Sequence, residues 1–144
     1  MEFNWHHCIS ILSAAILSGL IGVEREFRGK AAGLRTNILI SLGACVFTIV
    51  SMNLAGSESG RIAAQVVTGI GFLGAGAIIH SGIGIHGLTT AAGIWIVASI
   101  GMACGARMYW LALTATILAL VVLVFLPLLE RRISKNRPSE NHLN

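Results

Sequence analysis

The sequence predicts an all-α, polytopic membrane protein with about five transmembrane helices. Hydrophobic residues make up 55% of the 144 residues and charged residues only 11%, whereas soluble domains are about a quarter charged. The mean hydropathy is +0.80. The apolar residues are gathered in segments close to the ~17–25 residues that a helix needs to cross the hydrocarbon core. None of these segments alternates apolar with polar residues, as the strands of a membrane barrel would.

The apolar segments are interrupted by short polar stretches. They cover residues 3–23, 36–55, 62–79, 88–104 and 109–129. We therefore expect one transmembrane domain over residues 1–129 and a short charged cytoplasmic tail over residues 130–144. Residues 1–7 carry Glu2 but no Lys or Arg, so a cleaved signal peptide is not expected there.

Basic residues in the loops predict the orientation. Eight of the ten follow the first or the fifth segment, whereas the loops on the other side hold only Arg61 and Arg107. Cytoplasmic loops are the ones enriched in Lys and Arg. The N-terminus is therefore predicted to lie outside and the C-terminus in the cytoplasm. The eight residues are Arg25, Arg28, Lys30, Arg35, Arg131, Arg132, Lys135 and Arg137.

The composition argues against several classes of function. The chain has no Asp and only six Glu, which leaves little for two-carboxylate hydrolysis or a carboxylate-rich metal cage. The pI is about 9.5, but the basic residues flank apolar segments, so the lipid bilayer and not nucleic acid is the expected partner. No nucleophile–base pair can be assigned, so neither an enzyme nor a cofactor is expected. Cys8, Cys45 and Cys104 lie in apolar runs and are expected to be packing residues.

Two short patterns recur in the same order along the chain. Two glycines separated by two apolar residues occur at 19–22 and again at 71–74. The pattern Gly-Leu-x-Thr follows at 33–36 and again at 87–90. The recurrence predicts a parallel repeat of two helical hairpins, related by an axis along the membrane normal.

Glycines are also expected to set the helix packing. Residues 69–74 match GxGxxG, but they lie inside an apolar segment, with no acidic residue about twenty positions later as a dinucleotide site requires. Small residues instead let transmembrane helices approach closely, either within the subunit or between subunits. The expected helix-packing glycines are Gly19, Gly22, Gly69, Gly71, Gly74, Gly76, Gly101 and Gly105.

Polar residues concentrate where the first helix is predicted to reach the cytoplasm. A hydrated Mg²⁺ needs only one or two carboxylates, so Glu24 and Glu26 are candidate ligands for a cation; the site could alternatively take a lipid headgroup. The competing interpretation is a self-paired ionic collar that anchors the helix end. The predicted inner-mouth polar site consists of Glu24, Arg25, Glu26, Arg35, Thr36 and Gln65.

His80 and His86 bracket a glycine-rich inner loop. Histidine is the side chain that ordinarily titrates near neutral pH, so the pair could form a pH-sensitive loop. Solvated histidines without a specific function are the alternative. The six-residue separation does not match the one-turn spacing of helical His-x-x-x-His metal sites.

Three stretches resemble the MgtC/SapB family of bacterial inner-membrane proteins. They are GLIGVEREFRGKAAGLRTNILISLGA, RIAAQVVTGIGFLGAGAII and HGLTTAAGIWIVASIGMACG, in this order. The resemblance implies a five-helix core with a cytoplasmic C-terminus. It also implies a link to magnesium homeostasis and low-magnesium growth and, in some members, to survival inside host cells.

This chain departs from the family in two places. Many members continue into a soluble cytoplasmic domain after the fifth helix, so a short form lacking that domain is expected here. Members also tend to place basic residues where this chain has His80 and His86. A titratable charge would then replace a fixed one at the ends of the inner loop.

Two functions remain open from the sequence. The first is a membrane regulator that binds another inner-membrane complex through its glycine faces and forms a homo-oligomer. The second is a transporter or channel for Mg²⁺ or another ion. Ionisable groups inside a membrane usually mark ion pathways, and none lies near the centre of an apolar segment. The sequence therefore favours the regulator.

Overall fold

The computed structural model describes residues 5–54, 59–79 and 86–135, and the regular structure in these ranges is entirely helical. Every helix in them is long and apolar enough to cross a membrane. The predicted all-α membrane fold is confirmed. The helices are α1 (Trp5–Phe27), α2 (Leu34–Asn53), α3 (Ser59–Ile79), α4 (Leu88–Gly105) and α5 (Tyr109–Lys135).

The helices match the predicted segments but extend further at two charged ends. α1 continues through Glu24, Arg25 and Glu26 to Phe27, and α5 continues from residue 129 to Lys135. Charged residues are unfavourable in the hydrocarbon core but well accommodated in a helix that leaves it. The residues predicted as a tail therefore begin as a continuation of α5, and residues 136–144 lie outside the described ranges.

α4 lies at the centre of the helix bundle. It packs against each of the other four helices, and 56% of its apolar span is buried, compared with 11% for α3 and 17% for α5. Val97 and Ile100 of α4 are fully buried in the core, together with Ile21 of α1. Cys45 and Cys104 are free thiols in the same core, as expected for packing residues, whereas Cys8 is exposed. α3 and α5 keep most of their apolar surface on the outside.

Two glycines bring α4 directly against α2. A Cβ atom placed on Gly101 would lie 2.9 Å from the Cα of Ser41, and one on Gly105 would lie 2.6 Å from the carbonyl oxygen of Cys45. Real Cβ atoms do not approach backbone atoms so closely. The Gly101–Gly105 pair therefore packs within the subunit.

The glycines of the predicted repeat contact matching positions of the helix that follows. A Cβ on Gly22 would lie 3.3 Å from the Cβ of Asn37, and one on Gly74 would lie 3.7 Å from the Cβ of Ala91. Asn37 and Ala91 each follow their Gly-Leu-x-Thr pattern directly. The repeat of two hairpins stays a prediction that these contacts support. Gly19 packs less tightly, against the side chain of Ile38.

Two sets of contacts distinguish the ends of the bundle. At one end the hydroxyls of Ser10 and Tyr109 are 2.9 Å apart and join the starts of α1 and α5. At the other end, the last turn of α1, the first turn of α4 and the C-terminal half of α5 surround one cavity. The latter is the end that the loop charges assign to the cytoplasm, an orientation that stays a prediction.

Candidate functional site

An ion-paired cluster lies at the end of α1. The Oε1 atom of Glu24 lies 2.5 Å from the Nε of Arg28, the residue after the end of the helix, and its Oε2 lies 3.8 Å from Nη1 of Arg25. The side chains of Glu24 and Arg25 are only 11% and 5% exposed. Both carboxylate oxygens are buried and make no hydrogen bond within the described part of the chain. Glu24 is therefore held by charge attraction from two arginines. This is the arrangement that the ionic-collar interpretation predicts.

Arg25 also connects α1 to the start of α4. Its Nη2 atom donates a hydrogen bond to Oγ1 of Thr90 over 3.3 Å, and both residues are buried. Thr90 is the last residue of the second Gly-Leu-x-Thr pattern. The sequence indicated that pattern as a repeat, but nothing in it pointed to a contact between this threonine and the charged end of α1.

The turn between α1 and α2 is fixed by side chain to backbone hydrogen bonds. Oε2 of Glu26 accepts a hydrogen bond from the amide of Leu34, the first residue of α2, over 3.0 Å. Nδ2 of Asn37, which is 1% exposed, donates to the carbonyls of Ala32 at 2.8 Å and Gly33 at 2.7 Å. Glu26 thus caps α2, because the first amides of a helix have no intrahelical partner.

The structure does not bring the whole predicted inner-mouth site together. Arg35 and Thr36 are exposed on the first turn of α2. Gln65 lies away from this end: it lines an apolar groove of about 440 Å³ between α2 and α3, beside Phe47 and Gly69. Its position is set by α3, which starts at the opposite end of the bundle from Glu24. The grouping of Gln65 with the charged end of α1 was therefore wrong.

The two candidate carboxylates are already engaged by protein groups. Glu24 is paired with two arginines and Glu26 accepts an amide hydrogen bond, so a cation at either carboxylate would have to compete with these partners. Within the described ranges, no group of three or more His, Cys, Asp or Glu side chains is close enough to hold a metal ion. Of the two loop histidines, His86 is exposed, and His80 lies outside the described ranges.

A cavity of about 870 Å³ lies between α1, α4 and α5 at the charged end of the bundle. Arg28 reaches across it, with Nη2 3.4 Å from the carbonyl oxygen of Val124 in α5. Pro127 lies inside α5 and cannot donate a backbone hydrogen bond there. The lining residues are Arg25, Arg28, Gly29, Lys30, Ala31, His86, Gly87, Thr89, Thr90, Val122, Leu123, Leu126, Pro127 and Leu128. The sequence did not predict this cavity, because its residues come from three distant segments.

Three glycines of α3 have open space in front of them, but they do not share one side of the helix. No described atom would lie within 4 Å of a Cβ placed on Gly69, Gly71 or Gly76, whereas Gly74 faces Ala91 and Trp95 of α4. Gly69 and Gly76 are two turns apart and lie on one side of α3, where Gly69 lines the groove between α2 and α3, whereas Gly71 lies on nearly the opposite side. We call the surface formed by Gly69 and Gly76 the α3 glycine face. That it lets another helix approach closely stays a prediction, and within the described ranges this chain supplies no such helix.

Comparison with known proteins identifies the family. Residues 11–132, which include most of all five helices, match the family described as MgtC family. The chain is 46% identical over 129 residues to "Protein MgtC" of Salmonella typhimurium strain LT2, covering 90% of this chain and 56% of that protein. It is 48% identical over 138 residues to "Putative magnesium transporter YhiD" of Escherichia coli strain K12, covering 89% of this chain and 64% of that protein.

A further relative, "Protein MgtC" of Brucella abortus strain 2308, is 46% identical over 118 residues, which is 81% of this chain and 50% of that protein. The chain thus spans less than two thirds of the length of each of these relatives. No solved structure matches it. Because the family match covers most of the sequence and all five membrane-spanning helices, the chain belongs to the MgtC family.

Proposed function

We propose that this protein is a magnesium-linked regulator in the bacterial inner membrane that acts by binding another membrane protein complex. The observation that carries the proposal is the α3 glycine face: only 11% of the apolar span of α3 is buried, and Gly69 and Gly76 have open space in front of them. In membranes, glycine-rich faces are typical of helix–helix interfaces. We propose that the same face also serves a homo-oligomer.

The interior of the bundle supports binding over ion transport. The contacts of α4 with its neighbours are filled by small apolar residues and by the close approach at Gly101 and Gly105. The cavity at the charged end is lined by Arg25, Arg28 and Lys30. Positive charges repel a divalent cation, and more strongly in a partly buried site than in water. This cavity is therefore a poor entrance for Mg²⁺.

Transport of Mg²⁺ or another ion is the alternative, and one relative's name refers to magnesium transport. The two functions differ in a direct assay. We would reconstitute the purified protein in liposomes that contain a magnesium-sensitive dye and impose an inward Mg²⁺ gradient. If the protein is a regulator, liposomes that contain it should give the same dye signal as empty liposomes. A flux that depends on the protein would overturn the proposal.

The second arm of the test uses growth in low magnesium. Gly76→Leu on the α3 glycine face should abolish complementation while the protein stays in the membrane at its normal level. Gly93→Leu is the matched control, because Gly93 of α4 also has no described atom within 4 Å of an added Cβ. Full complementation by both variants would remove the α3 glycine face from the proposal.

A further inference from the structure

The cavity at the charged end of the bundle has two chemically different walls. Its α1 and α4 wall is polar and carries Arg25, Arg28 and Lys30, with Thr89 and Thr90 beside them. Its α5 wall is apolar and consists of Val122, Leu123, Leu126, Pro127 and Leu128. A cavity of about 870 Å³ with this division fits a molecule that is anionic at one end and apolar at the other.

The polar wall has more positive than negative charge. Glu24 is paired with both Arg25 and Arg28, so one carboxylate faces two guanidinium groups, and Lys30 adds a third cation that forms no ion pair within the described ranges. The side chain of Arg25 is 5% exposed. Arg28 is 35% exposed and Lys30 is exposed, so both cations are accessible to a ligand. The net positive charge of this wall attracts an anion.

The first turn of α4 adds hydrogen-bond donors to the same wall. Gly87 precedes the helix in the left-handed region, with φ of 89°, and as a glycine it has no side chain that could cap the helix start. The first amides of a helix lack intrahelical acceptors and, together with the helix dipole, favour phosphate groups. Gly87 and Thr89 line the cavity, so these donors lie beside the cationic side chains.

The apolar wall distinguishes a lipid from a free phosphate. Leu126 and Leu128 are exposed on α5 as well as lining the cavity, and only 17% of the apolar span of α5 is buried. The wall is therefore continuous with the surface that α5 presents to the bilayer. Acyl chains could lie along that surface while their headgroup occupies the polar wall, whereas inorganic phosphate would leave the apolar wall uncovered.

We propose that this cavity binds an anionic phospholipid. The phosphate lies against Arg28, Lys30 and the first turn of α4, and the acyl chains follow α5. Basic pockets between transmembrane helices are a known type of site for anionic headgroups. This site is separate from the α3 glycine face, so its failure would leave the proposed function standing, and the reverse is also true.

Native mass spectrometry of the delipidated full chain tests the proposal. We expect phosphatidylglycerol to bind several-fold more tightly than phosphatidylcholine with the same acyl chains. Lys30→Gln should weaken phosphatidylglycerol binding about fivefold, the effect of losing one cation near an anionic headgroup. Arg35→Gln is the matched control: it removes one positive charge from the same end of the bundle, at an exposed residue that does not line the cavity.

A second variant keeps the test informative if Lys30→Gln fails to fold. Thr89→Glu places a negative charge in the polar wall, yet an acidic residue in the first turn of a helix is favourable to that helix. It should remove the preference for phosphatidylglycerol without lowering the melting temperature of the lipid-free protein. A preference unchanged in both Lys30→Gln and Thr89→Glu would overturn the proposal, as would equal losses in Lys30→Gln and Arg35→Gln.

Inorganic phosphate provides the remaining arm. Phosphatidylglycerol should raise the melting temperature of the wild type, and inorganic phosphate should not. If inorganic phosphate raises it as much as the lipid does, and Lys30→Gln removes that effect, the cavity binds a soluble phosphate compound and the lipid assignment is wrong.

Discussion

Glu26 lies at the end of α1 and caps the start of α2, with its Oε2 atom 3.0 Å from the amide nitrogen of Leu34. Gly33 makes this contact possible, because a Cβ at that position would overlap the same carboxylate oxygen. The negative charge also lies at the positive end of the α2 dipole. One of the two candidate carboxylates thus has a structural partner that accounts for its position.

Replacing Glu26 should therefore destabilise the α1–α2 turn. Loss of a helix cap costs typically ~1 kcal/mol, so we expect Glu26→Ala to lower the free energy of unfolding by about that amount. Glu26→Gln keeps an oxygen acceptor and should cost clearly less. Denaturant unfolding in detergent measures both. Equal losses for the two variants would mean that the hydrogen bond to Leu34 contributes nothing.

Glu24 should contribute to the stability of the fold through its arginine partners. Removing one member of a buried ion pair leaves the other charge uncompensated and costs about 3 kcal/mol, so Glu24→Gln should be strongly destabilising. Arg28→Gln should cost less, because Arg25 still neutralises Glu24. The double variant should lose less than the sum of the two single losses. Unfolding of all three variants measures this coupling.

The same variant separates a structural from a functional role of Glu24. We expect Glu24→Gln to reduce complementation in low magnesium in proportion to the loss of protein from the membrane. If complementation is abolished while the protein level and the unfolding free energy stay normal, Glu24 serves a functional site, as the family resemblance implies. Full complementation at a normal level would remove Glu24 from the candidate site.

The fold was predictable because bilayer thickness and apolar composition fix the number and length of spanning helices. The start of α4 at Leu88 and the start of α5 at Tyr109 agree with the predicted segments. The ends of α1 and α5 did not agree, because hydropathy marks where the hydrocarbon core ends and not where the helix ends. Backbone hydrogen bonding determines where the helix ends.

The candidate site was predictable only in its local part. Glu24, Arg25 and Arg28 lie close together in sequence at the end of α1, and their pairing follows from spacing. The contacts of Arg25 with Thr90 and of Arg28 with the Val124 carbonyl join residues far apart in sequence. Such contacts depend on which helix faces pack together. Helices that are apolar on all sides give no sequence signal for those faces.

The close contact of α4 with α2 should make Gly101 intolerant of any side chain. Gly101→Ala would push a methyl group into the backbone at Ser41, and overpacking of this kind typically costs ~1–3 kcal/mol. Gly93→Ala is the control, since its position is open and Ala is favoured over Gly in helices by up to ~1 kcal/mol. We expect opposite signs for the two changes in unfolding free energy. The same sign for both would contradict the packing of α4 on α2.

The predicted orientation can be tested with cysteines at the two ends of the bundle. In a Cys8→Ser background, whose remaining thiols at Cys45 and Cys104 are buried, Met108→Cys should react with a membrane-impermeant reagent in intact cells. Lys30→Cys should react only after permeabilisation. Both positions are exposed, so access to the reagent depends on the side of the membrane. The reverse labelling pattern would show that the topology is inverted and that the basic loops lie outside.

The α3 glycine face allows folding and assembly to be separated at one residue. Gly76 has no described atom within 4 Å of an added Cβ, so Gly76→Leu should leave the unfolding free energy of the isolated subunit unchanged or slightly higher. The larger side chain would nevertheless hold off a helix that packs on this face from outside the subunit. We therefore expect a lower oligomer population in crosslinking and in size-exclusion chromatography with light scattering, with Gly93→Leu as the control. Normal assembly by Gly76→Leu would show that the homo-oligomer does not use this face. A large loss of subunit stability would show that Gly76 packs within the subunit after all.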